Sequence, residues 1–484
     1  MPTRLRVQQF DGRPDVADAF VALFADAPDA VWLDAGPDAE DGRSIIATGT
    51  VVAASSLADG SVRVSDGDTS TQRQGTMLAF LRADLAARER IAARTPEPSF
   101  ALGWVGWLGY ESGAEALGLP VSIDDGPAAA MLFADRAVVF DHGAGTVELL
   151  VLDGESAPSS ADAADAWLAA TAARLHAADG AAAAYVAAHP LPAAAPATWR
   201  HDDDAYLAMI RSCQESIRAG DAYQLCLTNR ADAASAADPL AVHLRLRAAS
   251  PAHHAGFLRI AGTTLVSSSP EQFLAVTASG SIRSKPIKGT RPRGATVSAD
   301  LALRAELEAS EKERAENVMI VDLMRNDIGR VSEVGSVGVR HLLAVESYAQ
   351  VHQLVSTVEG RLRDGLGAVD AIEACFPAGS MTGAPKLSAM RILSGLERGP
   401  RGVYSGCFGY LGLDGAADLA MVIRSIVYRD GGVAIGAGGG ITALSVPEEE
   451  LEEVRIKARA LFAAAGLFAA GAQEQGNGSQ HGNV

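Results

Sequence analysis

Hydrophobic and polar positions alternate with a period of two at several places in the first 154 residues. The clearest cases are SIIATGTVVAA at 44–54 and AVVFDHGAGTVELLVLD at 137–153, and this alternation predicts half-buried strands and hairpins. Between them, TMLAFLRADLAARERIAA at 76–93 has the apolar spacing of a helix. Residues 1–154 are therefore predicted to form an N-terminal subdomain of mixed α and β structure.

The pattern changes after residue 154. Residues 155–200 are rich in Ala, Asp, Ser and Pro, which predicts an alanine-rich helix followed by a proline-stiffened connector. In the catalytic candidate region 201–466, Asp203 or Asp204 is expected to cap a helix that ends at Gly220.

Later in that region the helices and strands alternate irregularly. A glycine-rich turn at Asp430 predicts a hairpin, and this arrangement favours an α+β fold over a doubly wound one. The polar, glycine-rich residues 467–484 are predicted to be a disordered tail.

Composition narrows the function classes. The chain has 41 Lys and Arg against 59 Asp and Glu, a net charge of −18, so its field repels nucleic acid and anionic membranes. Neither an apolar signal core nor a membrane-length apolar run is found. The four cysteines form no C-x-x-C pair, so a reducing cytoplasm is expected. A small anionic ligand would then need local cations or a metal ion.

Two acidic segments could supply a metal site. The segment 306–327 predicts one helix with Glu313 and Glu316 on one face, and the segment 447–466 predicts another with Glu450 and Glu453. One interpretation is a pair of solvated faces whose i,i+4 ion pairs contribute about 0.3 kcal/mol each. The other is that carboxylates from two helices hold one Mg²⁺, a hard cation that prefers oxygen ligands.

A basic loop offers a second candidate. SKPIKGTRPRG at 284–294 is either a basic surface turn or a proline-fixed loop that keeps Lys288 away from water, where desolvation would lower the lysine pKa. Glycine-rich turns at 378–386 and 436–441 could present backbone N–H groups to an anion, although neither matches a nucleotide-binding pattern. Cys407 lacks the context of a glutaminase nucleophile and is expected to be a buried structural cysteine.

Five ordered segments between about 200 and 465 closely resemble the chorismate-binding enzymes. They are PIKGTRPRG (286–294), EKERAENVMIVDLMRNDIGRVSEVGSV (311–337), SYAQVHQLVSTVEG (347–360), FPAGSMTGAPKLSAM (376–390) and GAGGGITALSVPEEELEEVRIKA (436–458). The resemblance implies an α+β fold of two antiparallel sheets packed face to face, with helices on the outside. It also implies a chemistry performed on chorismate.

The same resemblance implies roles for individual residues. Glu316 and Glu453 match the Mg²⁺ ligands, with Glu313 and Glu450 nearby, and Glu271 in SPEQF matches the general acid for the C4 hydroxyl. The matching positions for binding and later steps are Arg424 and Lys457 for the enolpyruvyl carboxylate, Tyr410, Thr382, Gly383, Ala384, Gly438, Gly439 and Gly440 around the substrate, and His352 for pyruvate elimination in anthranilate synthases.

Two positions favour one branch of the family. Lysine at 288 resembles the 4-amino-4-deoxychorismate synthases, in which this lysine is thought to attack C2 of the ring, whereas anthranilate synthases usually carry alanine there. Gln224 lines the pocket where the water-adding relatives carry a lysine base. The resemblance thus implies amination of chorismate at C4, for folate or another aromatic-amine pathway.

The partners follow from the same resemblance. No Cys–His–Glu glutaminase set is recognised, so ammonia is expected from a separate glutaminase subunit. GWVGWLGYESG at 103–113 is the looser N-terminal match, in a half where some relatives bind tryptophan. Two alternatives stay open: the first component of an anthranilate synthase, and a non-catalytic chorismate-binding regulatory subunit.

Overall fold

The computed structural model describes residues 3–88, 100–154, 160–348 and 351–470. Its strands are β1 Arg4–Phe10, β2 Ala30–Asp34, β3 Arg43–Thr48, β4 Val51–Ser56, β5 Ser61–Asp66, β6 Thr69–Gln74, β7 Gly103–Leu108, β8 Ala129–Ala134, β9 Arg136–Asp141, β10 Thr146–Asp153, β11 Ala195–Trp199, β12 Gln224–Ala234, β13 His254–Ile260, β14 Thr263–Ser269, β15 Gln272–Val276, β16 Ser281–Ser284, β17 Ile287–Pro292, β18 Gly338–Ser347, β19 Val351–Arg361, β20 Gly383–Ala384, β21 Cys407–Gly412, β22 Ala417–Met421, β23 Ser425–Arg429, β24 Gly432–Ile441 and β25 Leu467–Ala469. Its helices are α1 Val16–Phe24, α2 Met77–Ala87, α3 Tyr110–Ala116, α4 Ala161–His176, α5 Ala181–Ala188, α6 Asp203–Ala219, α7 Pro239–Ala249, α8 Val297–Ala309, α9 Glu311–Gly329, α10 Ala368–Cys375, α11 Gly379–Thr382, α12 Lys386–Glu397 and α13 Pro447–Ala465.

The strands form two large sheets. The first has 13 strands in the order β1-β10-β9-β3-β2-β13-β14-β23-β24-β12-β11-β25, with β20 beside β12. The second has 12 strands in the order β17-β19-β16-β15-β22-β21-β7-β8-β4-β5-β6, with β18 beside β19. Among the strands described, only β11 and β25 pair in parallel. The predicted α+β class with two antiparallel sheets is confirmed, and each sheet contains strands from both 1–154 and 201–466.

The first sheet is buried on both faces. Val31 and Leu258 lie in the core between the sheets, whereas their neighbours Trp32 and Phe257 lie in a second core under the helices, and all four are fully buried. The period-two geometry of a strand sends neighbouring side chains to opposite faces. Helices α1, α4, α6, α7, α12 and α13 cover the outer face.

Several local predictions can be compared with the structure. The hairpin at Asp430 is confirmed, because β23 and β24 pair across a turn in which Asp430 and Gly431 both have positive φ. The cap predicted at Asp203 or Asp204 is wrong by one residue. Asp202 caps α6, since its carboxylate accepts a hydrogen bond from the Ala205 amide, and the two other aspartates lie in the first turn.

The connector and the tail contain more structure than their composition suggested. From residue 160, the predicted connector forms α4, α5 and β11, and β11 pairs with β25 at the start of the predicted tail. Residues 471–484 of that tail, and 89–93 of the helix predicted at 76–93, lie outside the described residues. Within the described ranges, no helix has the length and apolar character needed to cross a membrane.

Candidate active site

A cavity of about 380 Å³ gathers most of the residues singled out in the sequence. It lies where the ends of β12, β17 and β24 meet the helices α9, α11 and α13. Its lining comprises Cys226, Pro270, Glu271, Ile287, Lys288, Gly289, Thr290, Arg291, Lys312, Glu313, Glu316, Gln353, Ser380, Met381, Tyr404, Ile423, Arg424, Gly436, Ala437, Gly438, Gly439, Gly440, Glu453, Ile456 and Lys457.

Helix α9 brings the first pair of carboxylates to the cavity. The single helix predicted over 306–327 is wrong, because Ser310 interrupts it and its hydroxyl caps α9 through the Glu313 amide. Glu313 is paired with Arg291 at 3.1 Å. Glu316 is half-buried, and burial raises its pKa although Lys288 and Lys312 lower it.

Helix α13 supplies the second pair. It ends at Gly466 in the left-handed conformation, which confirms the helix predicted over 447–466. Glu450 accepts hydrogen bonds from Ser445 Oγ at 2.7 Å and Lys312 Nζ at 3.1 Å. Glu453 forms the expected i,i+4 pair with Lys457 at 2.6 Å. Burial raises the pKa of Glu453, but the neighbouring lysines outweigh this and leave the pKa below its usual value.

The two helices converge on the glycines of β24. A Cβ atom on Gly439 would lie 3.2 Å from Glu450 Oε2 and 3.9 Å from Glu453 Oε1. A Cβ atom on Gly440 would lie 2.2 Å from Gln224 Nε2 and 3.7 Å from Glu316 Oε2. The carboxylates of both helices therefore face the same short stretch of bare backbone.

The acidic residues form a two-carboxylate set instead of a preformed metal cage. In the part of the chain that the structure describes, no group of three or more His, Cys, Asp or Glu side chains is arranged to hold a metal ion. Lysines pair with Glu450 and Glu453 in this state. Mg²⁺ commonly uses one or two protein carboxylates with substrate oxygens and water, so Glu316 and Glu453 suit its donor chemistry.

Lys288 lies on β17 opposite Leu354, and its environment differs from the prediction. Burial lowers the pKa of Lys288, but Glu316, Glu271 and Glu453 raise it by more, and the net result is a pKa above the usual value. The prediction that the pKa of Lys288 is lowered is therefore wrong. Sequence spacing could not show that three carboxylates from separate elements would surround this amine.

Burial controls the acidity of Glu271. Its side chain is buried, and burial raises its pKa despite the opposing effects of Lys288, Ser380 and Lys457. A raised pKa favours the protonated form, which is the form that can donate a proton. Ser380, on the one-turn helix α11, was not identified from the sequence.

Arg424 provides a cation without a bound partner. Its backbone has a φ of 50°, a conformation unusual for a residue with a side chain, and it lies on the cavity wall. Burial lowers its pKa, with Tyr404 and Glu453 opposing. Among the described residues, its guanidinium makes no side-chain hydrogen bond or ion pair. It is therefore available to an anionic ligand.

Other parts of the lining were missed by the sequence analysis. Tyr404 packs so closely on β24 that a Cβ atom on Gly436 would lie 2.2 Å from its ring. Gln353 in the lining was also missed, whereas Gln224 was predicted but is not part of the lining. Each of the two has a buried side-chain oxygen with no hydrogen-bond partner among the described residues. A buried acceptor of this kind is expected to be satisfied by a ligand or water.

Some predicted residues lie away from the cavity. His352 is next to Gln353 on β19 but on the opposite face, where its ring contacts Ser347 Oγ at 2.8 Å and Asp300 Oδ1 at 3.0 Å. Tyr410 lines a different cavity of about 360 Å³, together with His253 and His254.

The segment Thr382–Ala384 also does not line the cavity. Thr382 is fully buried, and Gly383 and Ala384 pair with β12. A Cβ atom on Gly383 would lie 2.2 Å from the Gln224 carbonyl oxygen, which explains the glycine. The segment therefore supports the strand that carries Gln224.

Cys407 is fully buried, as expected, and burial raises the pKa of its thiol, so it cannot serve as a nucleophile in this state. All four cysteines are buried free thiols, which agrees with the absence of a disulfide framework in the sequence.

A buried polar network behind the cavity was also missed. Glu111, on α3, accepts hydrogen bonds from the backbone amides of Arg401 at 2.7 Å and Gly402 at 2.9 Å. Burial raises the pKa of Glu111 to about 7, although these hydrogen bonds lower it. The partners are separated by 290 residues in sequence. No local pattern could have paired them.

Comparison with known proteins places these features in context. The family model described as chorismate binding enzyme matches residues 30–463. An aminodeoxychorismate synthase of Streptomyces pristinaespiralis is 44% identical over 97% of this chain and 66% of its own length. Anthranilate synthase component 1 of Pseudomonas aeruginosa is 35% identical, covering 92% of this chain and 91% of its own.

A solved structure gives a similar result. Anthranilate synthase component I from Streptococcus pneumoniae TIGR4 aligns with a TM-score of 0.73 and 28% identity, covering 87% of this chain and 92% of that one. The chain spans somewhat less than two thirds of the length of the aminodeoxychorismate synthases from two Streptomyces species.

Glu111 predicts a pH dependence of stability. Its pKa is about 7 in the folded chain, above the ordinary glutamate value of 4.5, so the folded state retains a proton that the unfolded state loses in this range. The stabilisation that Glu111 contributes to the folded state is complete below the pKa of the unfolded chain. As the pH rises through the pKa of the folded chain, this stabilisation falls by about 3 kcal/mol. We expect Glu111→Gln to remove this loss in urea unfolding measured at about pH 5 and about pH 8.

Glu449→Gln provides the control, because Glu449 is exposed on α13. That variant should keep the wild-type pH dependence. Equal pH dependence of wild type and Glu111→Gln would contradict the assignment.

Proposed function

The chain belongs to the chorismate-binding enzymes, and on that premise we propose that it aminates chorismate at C4 with ammonia to give 4-amino-4-deoxychorismate. The observation that carries this proposal is Lys288, whose amine lines the cavity opposite the acid Glu271 and beside Glu316. Anthranilate synthases, by the family resemblance of the sequence, usually carry alanine at this position. The similarity to the Streptomyces aminodeoxychorismate synthases supports the same choice.

The cavity can bind a dicarboxylate in spite of the net charge of −18. We assign Arg424 and Lys457 to the enolpyruvyl carboxylate. Arg424 has no carboxylate partner in the part of the chain that the structure describes, and Lys457 Nζ lies 2.8 Å from the carbonyl oxygen of Gly438 on the cavity wall. The glycine backbone of β24 allows the substrate to approach closely. Gln224 and Gln353 have free acceptors for ring hydroxyl or ammonia N–H groups.

Glu271 supplies the proton for departure of the C4 hydroxyl. Hydroxide is a poor leaving group, so the C4–O bond breaks together with transfer of the Glu271 proton, and water departs. The nucleophile donates an electron pair to C2, and the two ring double bonds shift toward C4. The electrons that arrive at C4 replace those that leave with the oxygen. The raised pKa of Glu271 favours the protonated form that this step requires.

Lys288 is the proposed nucleophile. Its neutral amine attacks C2, and ammonia then attacks C4, returns the double bonds to their original positions and releases the amine, while the proton that the added ammonia gives up returns to Glu271. The Lys288 amine must first lose the proton that the carboxylates stabilise. Glu316 and Glu453 raise the Lys288 pKa through their negative charge, so a cation held by these residues would favour the neutral amine.

We further propose that Glu316 and Glu453 hold Mg²⁺, with Glu313 and Glu450 close by. When bound, the ion would neutralise the carboxylate of the substrate ring and orient it over Lys288. Lys312, which pairs with Glu450, would then exchange this partner for another.

Ammonia is proposed to come from a separate glutaminase. The candidate thiol within this chain, Cys407, is buried and inert, so ammonium should be used directly and glutamine should not. The runner-up activity is that of anthranilate synthase component 1, which several relatives carry in their names.

Product identification tests the function. The purified chain is incubated with chorismate, Mg²⁺ and ¹⁵N-ammonium, and the product is identified by mass spectrometry and NMR. We expect ¹⁵N at C4 of a ring that keeps its enolpyruvyl group, because the proposed roles of Glu271 and Lys288 direct the chemistry to C4 and C2. Release of pyruvate with formation of anthranilate would instead identify the runner-up.

Neighbouring residues on α13 test the metal proposal. Glu453→Gln should lower kcat by about 100-fold or more and weaken the dependence on Mg²⁺, because it removes one of two proposed ligands. Glu452→Gln is the matched control, since Glu452 is exposed on the same turn and pairs with Arg455 and Arg459. Full activity of Glu453→Gln in the presence of EDTA would contradict the proposal.

A further inference from the structure

Arg401 is buried, with 5% of its surface exposed, and every N–H group of its guanidinium has an acceptor. Nε donates to Glu397 Oε2 at 2.8 Å, and Nη1 donates to the carbonyl oxygen of Met381 at 2.6 Å and to Ser405 Oγ at 3.4 Å. Nη2 donates to the carbonyl oxygen of Cys226 at 2.9 Å and to Glu397 Oε1 at 2.7 Å. One side chain thus joins β12, α11, α12 and the loop before β21.

The surroundings of Arg401 hold it in one orientation. Glu397 Oε1 also accepts hydrogen bonds at 3.0 Å from the amide and the hydroxyl of Thr228. The guanidinium lies 4.3 Å from the centre of the Tyr110 ring. A buried ion pair is a poor source of net stability, since desolvation offsets most of the attraction. Such a pair is better explained by the geometry that it imposes.

The two carbonyl groups held by Arg401 belong to residues of the reaction cavity. Cys226 and Met381 both line it. Met381 follows Ser380 in the single turn of α11, and Ser380 and Glu271 both line the cavity. The Ser380 hydroxyl lowers the pKa of the Glu271 carboxyl. The path from the Arg401 guanidinium therefore runs through the Met381 carbonyl group and the α11 turn to Ser380, whose hydroxyl acts on Glu271.

We propose that Arg401 is a positioning residue for the reaction, which fixes the α11 turn so that Ser380 is held against the acid Glu271. Arg401 does not line the reaction cavity. The inference rests on the proposed role of Glu271 and adds a residue that controls it. Lysine cannot replace this arginine fully, because one ammonium group cannot span two carbonyl groups and a carboxylate in the fixed fork of a guanidinium.

A second buried arginine provides a control for effects on stability alone. Arg247 donates to Asp34 from Nε at 2.7 Å and Nη2 at 3.4 Å, and its guanidinium lies 5.2 Å from the Trp32 ring centre. Its partner is also buried. Arg247 is not part of the lining of the reaction cavity.

The test is an infrared difference titration of Glu271 in the folded, ligand-free protein. The C=O stretch of the protonated acid is assigned by its loss in Glu271→Gln. The charged groups that face Glu271 are Lys288 and Lys457, and these stay unchanged in all variants. Because the Ser380 hydroxyl lowers the Glu271 pKa, both Arg401→Lys and Ser380→Ala should raise the titration midpoint by at least about 0.5 pH unit.

The double variant Arg401→Lys/Ser380→Ala should match Ser380→Ala alone, because both changes remove the same effect of the Ser380 hydroxyl on Glu271. Arg247→Lys should leave the midpoint unchanged. The proposal is overturned if Arg401→Lys leaves the midpoint in place, if the two shifts add, or if Arg247→Lys produces the same shift.

Ser380→Ala leaves all contacts of Arg401 intact, so this variant tests only the link between Ser380 and Glu271. An unchanged midpoint in Ser380→Ala would contradict that link. The titration uses no substrate. A failure of amination would therefore count against the proposed function and leave this result standing.

Discussion

Charge compensation within a buried space is the constraint on which the cavity depends. Lys288 is half-buried and is compensated by carboxylates from the β14–β15 connection, α9 and α13. Glu313 and Glu450 pair with a basic residue of another element, and Glu453 pairs with Lys457 of its own helix. An unpaired charge in such a place would be strongly unfavourable. Arg424 is the exception, and an anionic substrate would complete the balance.

The two sheets make this balance possible. Strand β24 places five consecutive glycines and alanines, residues 436–440, beside α13, so the helix carboxylates approach backbone instead of side chains. The first sheet is packed on both faces, and its rigidity fixes where the ends of β12 and β24 lie. The Arg401 network then connects those strand ends to α11 and to the acid Glu271.

Sequence reasoning located most of the cavity but not its electrostatics. The glycines of β24, Lys288, Glu271 and the two acidic helices were found because each lies in a short ordered segment with a characteristic pattern. The sign of the Lys288 pKa shift was wrong, since it depends on carboxylates that only the tertiary structure brings together. Arg401 and Glu111 carried no signal, because their partners lie far away in sequence.

Trapping the lysine intermediate tests the central claim most directly. Intact-mass analysis of the chain mixed with chorismate and Mg²⁺, without ammonium, should show an adduct equal to chorismate minus water, located by peptide mapping at Lys288. Addition of ammonium should discharge it, and Lys288→Gln should form none. An enzyme that turns over when ammonium is added but never carries the adduct, or an adduct that persists in Lys288→Gln, would contradict the account.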